Sequence, residues 1–306
     1  MSSLTLVSAF FDLASRESST RPNAEYYLTH GRFLLSLNVN KVIYCDRHME
    51  EPIKKIIDEF GTWDSTILRP TSLEERKYYE LLPEASNCSR AQSNNIVKDT
   101  VLYSITMWVK FELLEEVAKE NPWNNSHIAW FDFGLAHVAE TEYAMEAFEE
   151  LPEQGVRLLM LRPWTKEEVL DPTYYDAHRG INGAGFILGT RNNIIDLCKV
   201  FRQEVSIALF KGKAPVDEQI LPVIHMKYPT LFKFYYGDYA EILENVKYIR
   251  GFGCIGIALS YAEAYGMKHV IKDIIDKVRF SMDNDKLKRI SEPEKTWFKE
   301  FEKRFN

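Results

Sequence analysis

Three apolar runs of this chain each end on an aspartate: residues 4–11 stop at Asp12, residues 41–45 at Asp46 and residues 126–131 at Asp132. Between the first two, residues 22–37 place Tyr26, Tyr27, Phe33, Leu34 and Leu37 at helical spacing behind Pro22, so the opening reads strand, helix, strand. Such a unit lays parallel strands side by side through a right-handed crossover, and ligands collect beyond the strands' carboxyl ends. The pattern therefore predicts an α/β sheet whose ligand-binding edge carries acids.

The alternation continues with a helix over residues 52–60, a short strand at 65–68 and a polar helical segment at 73–82. Residues 99–119 form a long amphipathic helix, with Val101, Leu102, Ile105, Val109, Leu113, Leu114 and Val117 recurring at three and four, stopped by Asn121-Pro122. A helix at 140–150, strands at 156–161 and 185–188 and a helix at 192–211 follow. The last third reads as mostly helical. Its charged end, residues 268–306, bears Trp297, Phe298, Phe301 and Phe305 along one side, which suits a cap on the sheet or a partner surface, including oligomer contacts through the C-terminal helices. With no repeat, low-complexity tract or Gly/Ser linker, the chain reads as one domain, 1–306, with a core of about 1–250 and a helical extension over 251–306.

Charge and cysteine usage narrow the function. The 306 residues sum to −7 (38 Lys+Arg against 45 Asp+Glu), which argues against a nucleic-acid backbone binder. Cys45, Cys88, Cys198 and Cys254 are widely spaced without a CxxC pair, so neither a disulfide framework nor a structural zinc site is expected. The start of the chain lacks signal-peptide features, and apolar stretches such as 253–259 are far shorter than the roughly 20 residues that span a bilayer. The expected compartment is cytoplasmic. GxGxxG after the first strand, GxxxxGK[ST], GxSxG and HExxH are all missing, so hydride transfer on a Rossmann fingerprint, P-loop chemistry and esterase chemistry lose support.

Four segments could carry chemistry. In IAWFDFGLAH (128–137), Asp132 at a strand tip can take a hard divalent cation whose remaining positions a diphosphate fills, with His137 as an added ligand for manganese; otherwise Asp132 caps the next turn and His137 is surface. In RGINGAG (179–185), glycines permit close backbone approach and the Asn182 amide can orient sugar hydroxyls, or the segment is simply a turn into a strand. In PVDEQIL (215–221), Asp217, Glu218 or Gln219 is an acceptor-binding or catalytic group, or Asp217 is a helix cap. Lys110, the one cation in the apolar middle of the long helix, either snorkels to the surface or meets a diphosphate. Phe10, Phe11 and Tyr44 read as core.

With these residues in hand, VSAFFDL (7–13) with Arg16, YCD (44–46), IAWFDFGLAHV (128–138), and DEQIL (217–221) followed by YGDY (236–239) resemble the HtrL/YibB family of glycosyltransferase-like proteins over about residues 4–250. The resemblance implies a GT-A-type, Rossmann-like fold: a mostly parallel central sheet flanked by helices, with a divalent metal (Mn2+ or Mg2+) on the diphosphate of a nucleotide-sugar donor. It further implies that Phe10, Phe11, Asp12, Arg16 and Asp46 lie at the nucleotide side, that Lys110, Asn182 and Gly183 serve the donor, that Asp132 with His137 binds metal, and that Asp217, Glu218 and Gln219 face donor sugar and acceptor. One departure stands out: where related transferases carry Asp-x-Asp, Gly134 replaces the second acid. His137, Asp46, His225 or Asp238 then completes the coordination, or metal binding is weak, or transfer activity is lost.

The expected activity is transfer of a sugar from a nucleotide-diphospho-sugar, UDP-sugars favoured, to a hydroxyl of a glycan or lipid-linked acceptor. The rivals are an inactive nucleotide- or sugar-binding protein on the same fold, and an interaction protein using its aromatic C-terminal segment.

Overall fold

The computed structural model describes residues 3–17, 21–93, 99–142 and 144–305. Seven strands form one sheet: β1 (Leu4–Phe10), β2 (Lys41–Asp46), β3 (Thr66–Thr71), β4 (His127–Phe131), β5 (Val156–Met160), β6 (Asn182–Thr190) and β7 (Phe232–Tyr236), in the order β3-β2-β1-β4-β6-β5-β7. Neighbours are parallel except around β6, which runs against both β4 and β5. This is the mostly parallel α/β sheet the alternating pattern predicts, with helices at the C-terminus.

β1 and β2 are apolar almost throughout because both sheet faces are covered. On one face, Trp108, Phe111, Leu114 and Val117 of helix Val101–Glu120 pack against helix Arg191–Phe210, where Phe111 and Phe201 stack at 3.6 Å. On the other, helices Ala24–Ser36 and Glu50–Phe60 bury Leu34, Leu35, Ile53 and Ile57 against Leu6, Ile43 and Phe131. Each such side chain removed from water contributes about 1.5–3 kcal/mol before chain entropy is charged against it. Thr100 caps the long helix by accepting from Tyr103 N (3.1 Å), and Asn121 ends it in the left-handed region at φ 48°.

Three elements depart from the sequence pattern. β6 begins at Asn182, so Asn182 and Gly183 lie within a strand and not in a turn before it; β6 pairs with β5 across a register break between Leu158 and Leu159. β3 runs on to Thr71, past the predicted end at Leu68. β7, the aromatic run FKFYY after Pro229, interrupts a stretch that reads as helical and forms the sheet's edge beside β5. The four cysteines are free thiols.

The C-terminal helices Gly253–Ala264, Lys268–Asp283 and Glu292–Lys303 enclose an apolar cluster of their own. Phe298 and Phe301 are buried in it against Phe252, Ile255 and Ile274, and Tyr236 of β7 packs onto it from the sheet. Phe298 and Phe301 thus face inward, Trp297 is half-buried and Phe305 is exposed. No helix among the described residues is long and apolar enough to cross a membrane.

Candidate active site

β4 delivers Asp132 to the carboxyl edge of the sheet. Its amide donates to Gly185 O of β6 (2.9 Å), and the Trp130 indole donates to Oδ1, so backbone and side chain are both held. The long helix supplies Lys110 from beneath. Its ammonium donates to Asp217 Oδ2 (2.7 Å) and Ala184 O (2.9 Å), and lies 3.5 Å from Asp132 Oδ1. Asp217 opens helix Asp217–Lys227, and its Oδ1 accepts from Glu218 N at 3.0 Å.

Lys110 and Asp217 are each 2 % exposed, whereas the Asp132 side chain keeps 34 % of its surface open. Burial works against the ammonium, but Asp132 and Asp217 outweigh it and hold Lys110 above its ordinary value. Burial, with Asp217 adding repulsion, lifts the Asp132 carboxyl against the pull of Lys110 and Trp130. Glu218 also acts on Lys110, so three carboxylates surround one ammonium. The centre has negative charge in excess.

Two chambers of about 390 Å³ each meet at this cluster. One is aromatic, walled by Phe10, Phe11, Tyr27, Trp130 and Phe133, with Arg21 on its lining. The other is polar, walled by Tyr174, Arg179, Asn182, Asp217 and Glu218. Asp132, Lys110, Met107, Tyr103 and Tyr239 line both. Burial, reinforced by Asp217, Glu218 and Asp132, raises the Tyr103 hydroxyl far above its ordinary value; burial and the same acids do so for Tyr239. Both phenols therefore stay protonated and can donate hydrogen bonds to an anionic ligand.

The glycine-rich segment acquires a steric reason here. A Cβ on Gly183 would stand 2.5 Å from the Tyr239 ring, and one on Gly185 would stand 2.6 Å from its hydroxyl oxygen. The two glycines make the seat on which Tyr239 lies across β6.

Of the residues singled out from sequence, the structure gathers Asp132, Lys110, Asn182, Asp217, Glu218, Phe10 and Phe11 around the cleft, with Gly183 beneath Tyr239. Lys110 does not snorkel: its apolar surroundings bury the stem, and Asp217 supplies the counter-charge. Gln219 lines the polar chamber but holds loops together, accepting from Val216 N and donating to Tyr175 O and Ala177 O. His137 lines the aromatic chamber, its Nδ1 at 2.6 Å from Gly134 O and its ring among Tyr26, Tyr27 and His30.

Asp12, Arg16 and Asp46 lie outside both chambers. Asp46 accepts from Asp12 N (2.7 Å) and from both Arg16 terminal nitrogens (2.6 and 2.7 Å), while Arg16 reaches on to Glu74 and pulls its carboxyl down to about 2. That network staples the loop after β1 to the tip of β2. His225 sits among Trp164, Phe232 and Phe234, and Asp238 accepts from Cys254 N; neither reaches Asp132's chambers.

Among the described residues, no three His, Cys, Asp or Glu side chains gather at metal-ligand spacing. The chain's own offer to a divalent cation is the open part of Asp132 in a centre with excess negative charge. Magnesium is commonly held by one or two carboxylates plus substrate phosphates, and Asp132 could supply one such carboxylate.

Tyr103 and Tyr174 lie outside the motifs, and Arg179 and Tyr239 stand within RGINGAG and YGDY with no role of their own assigned there. Tyr103, Met107 and Lys110 recur at helical spacing, which is the sequence signal that places them on one face.

A family model described as a bacterial protein of unknown function, HtrL_YibB, matches residues 2–247. Among curated proteins, none matches the sequence. Similar solved structures include mouse xyloside xylosyltransferase 1 in its apo form (15 % identity, 75 % of this chain, 83 % of that chain, TM-score 0.44). The bifunctional glycosyltransferase WbbM is similar at 11 % identity over 76 % of this chain and 38 % of its own (TM-score 0.40). A 4-diphosphocytidyl-2C-methyl-D-erythritol synthase from Anaerococcus prevotii is similar at 11 % identity over 78 % of this chain and 90 % of its own (TM-score 0.40).

Proposed function

The chain belongs to the HtrL_YibB family, and from that premise we propose that it is a GT-A-type glycosyltransferase that moves a sugar from a nucleotide-diphospho-sugar, UDP-sugars favoured, to a hydroxyl of a glycan or lipid-linked acceptor. The observation that carries the reading is the meeting of an aromatic and a polar chamber at one partly open carboxylate, Asp132. A nucleoside needs an apolar, aromatic slot; a sugar and its acceptor need hydroxyl partners; the diphosphate must lie between them.

In this reading Phe10 and Phe11 border the nucleoside, and Tyr103 and Tyr239, which line both chambers, donate to the diphosphate. A divalent cation held through Asp132, Mn2+ or Mg2+, would supply charge stabilisation for the departing diphosphate. Lys110 holds Asp217 in place through the 2.7 Å contact to its Oδ2. Asn182 donates its amide to Glu218 O (2.8 Å), while its Oδ1 is buried beside the polar chamber without a partner among the described residues, as is the Tyr174 hydroxyl. Such groups cost about 1–3 kcal/mol each when left unpaired, and sugar hydroxyls would satisfy them. Asp217 is held by Lys110, and Glu218, whose Oε1 accepts from Ala184 N (3.3 Å) on the same chamber wall, is the group we assign to take the acceptor proton.

The second reading, nucleotide binding without turnover, draws on Gly134 standing where a second acid would be. Calorimetry with UDP and manganese, beside a turnover assay over UDP-sugars, separates the two. Binding that requires Asp132, with donor consumption, supports transfer; binding alone supports the second; equal nucleotide binding by wild type and Asp132→Ala with no turnover under any divalent metal overturns the transferase reading.

A further inference from the structure

A third cavity, of about 480 Å³, lies between the edge strand β7 and helix Lys268–Asp283, apart from both chambers of the cleft. Its volume is within the range of about 300–1,000 Å³ usual for small-molecule sites. The walls are aromatic. The His225 ring meets Trp164 edge-on at 5.3 Å and Phe234 at 4.4 Å, and Tyr236 adds a further face. Polar groups punctuate these walls: Asp273 is exposed on the helix that closes the cavity, and the Lys277 ammonium on the same helix donates to Asn245 O and Val246 O.

One group on this lining is unsatisfied. His225 Nδ1 is buried with no hydrogen-bond partner among the described residues. Burial pushes the imidazole down to about 4, so at neutral pH it is uncharged and one ring nitrogen can accept a hydrogen bond. An apolar occupant would leave that nitrogen unpaired, and a phosphate, although Lys233 and His269 also line the cavity, would meet Asp273 while the Lys277 ammonium is already engaged. A pyranose ring answers all of these features: an apolar C–H face for the aromatic walls and a rim of hydroxyls to donate to His225 and Asp273.

Position gives the cavity a role. Glu218, on the wall of the polar chamber, and His225 share helix Asp217–Lys227, seven residues and therefore about 10 Å apart along its axis. β5 likewise ends with Met160 on this cavity and is followed by Leu161 on the polar chamber.

We propose that the cavity between β7 and helix Lys268–Asp283 is a second saccharide site that holds an outlying pyranose unit of an oligosaccharide acceptor. The proposal rests on the transferase reading for the word acceptor, and on the cavity alone for the saccharide.

Saturation-transfer NMR with maltotriose, lactose and N-acetyllactosamine tests it on the full chain, alongside calorimetry with UDP. The expected result is contact with at least one of the three sugars, weakened about tenfold in Trp164→Ala and reduced in Asp273→Ala, with UDP binding unchanged. Asp273 is exposed, so its variant decides the matter if Trp164→Ala fails to fold. No contact with any of the three sugars, or equal contact in the wild type and the folded variants, overturns the site. Saccharide bound at Trp164 by a protein that binds no UDP upholds the site and overturns the nucleotide-sugar reading instead.

Discussion

Lys110 Nζ stands 2.7 Å from Asp217 Oδ2 and 3.5 Å from Asp132 Oδ1, so one buried ammonium joins the tip of β4 to the first turn of a helix that begins 85 residues later. Removing it takes the counter-charge from Asp217, which is 2 % exposed. Lys110→Met is expected to cost about 3–5 kcal/mol in urea unfolding, and Lys110→Met/Asp217→Leu to recover much of that loss.

Asp132→Asn keeps the shape of the side chain and removes the charge that faces both chambers. Stability is expected to change little, while donor turnover falls by about 100-fold or more. Steady-state assays with UDP-sugars beside thermal melts separate the two effects.

Gly183→Ala drives a methyl into the Tyr239 ring at 2.5 Å, within a strand that has no room to yield. A cost of about 1–3 kcal/mol is expected, together with weaker UDP binding by calorimetry. Adding Tyr239→Ala relieves the clash, so the double variant is expected to be more stable than the sum of the single effects.

Glu244 is 3 % exposed beside Arg250 (2.9 Å), with Glu140, Glu241 and Arg289 also facing it, and burial pushes its carboxyl up to about 7. Between its ordinary value near 4.5 and 7 the folded protein holds a proton that the unfolded chain has lost, so this group's contribution to stability falls as pH rises through that window. His225, lowered to about 4, acts with the opposite sign between 4 and about 6.5. The readout is therefore the difference between wild type and Glu244→Gln: the variant should lack a slope worth up to about 3 kcal/mol across the window in urea titrations at several pH values.

Phe301 is fully buried in the C-terminal cluster. Phe301→Ala is expected to cost about 3–5 kcal/mol while leaving the oligomeric state unchanged by light scattering. A changed oligomeric state at unchanged stability would return the aromatic segment to the role of partner surface.

The acids at strand ends and the cation in the long helix were legible because periodicity alone sets which residue ends a strand and which interrupts an apolar face. The partner of Lys110 was not, since Asp217 lies 107 residues away and only the sheet order brings the two together. Tyr239 escaped for a related reason: its place is defined by two glycines on another strand, a complementarity that no local pattern records. Asp12 and Asp46 read as ligand groups by their position at strand ends and Arg16 through the resemblance, yet Asp46 takes the Arg16 guanidinium and the Asp12 amide, and pairing of that kind is invisible in spacing. β7 was hidden because five residues flanked by helices carry too short a run to show a period.

Tyr103 and Tyr239 each line both chambers. A substitution that reshapes either ring alters both chambers at once, so in a transferase of the proposed kind selection for a new donor would disturb the fit of the acceptor, and the pair of specificities would be inherited and altered together.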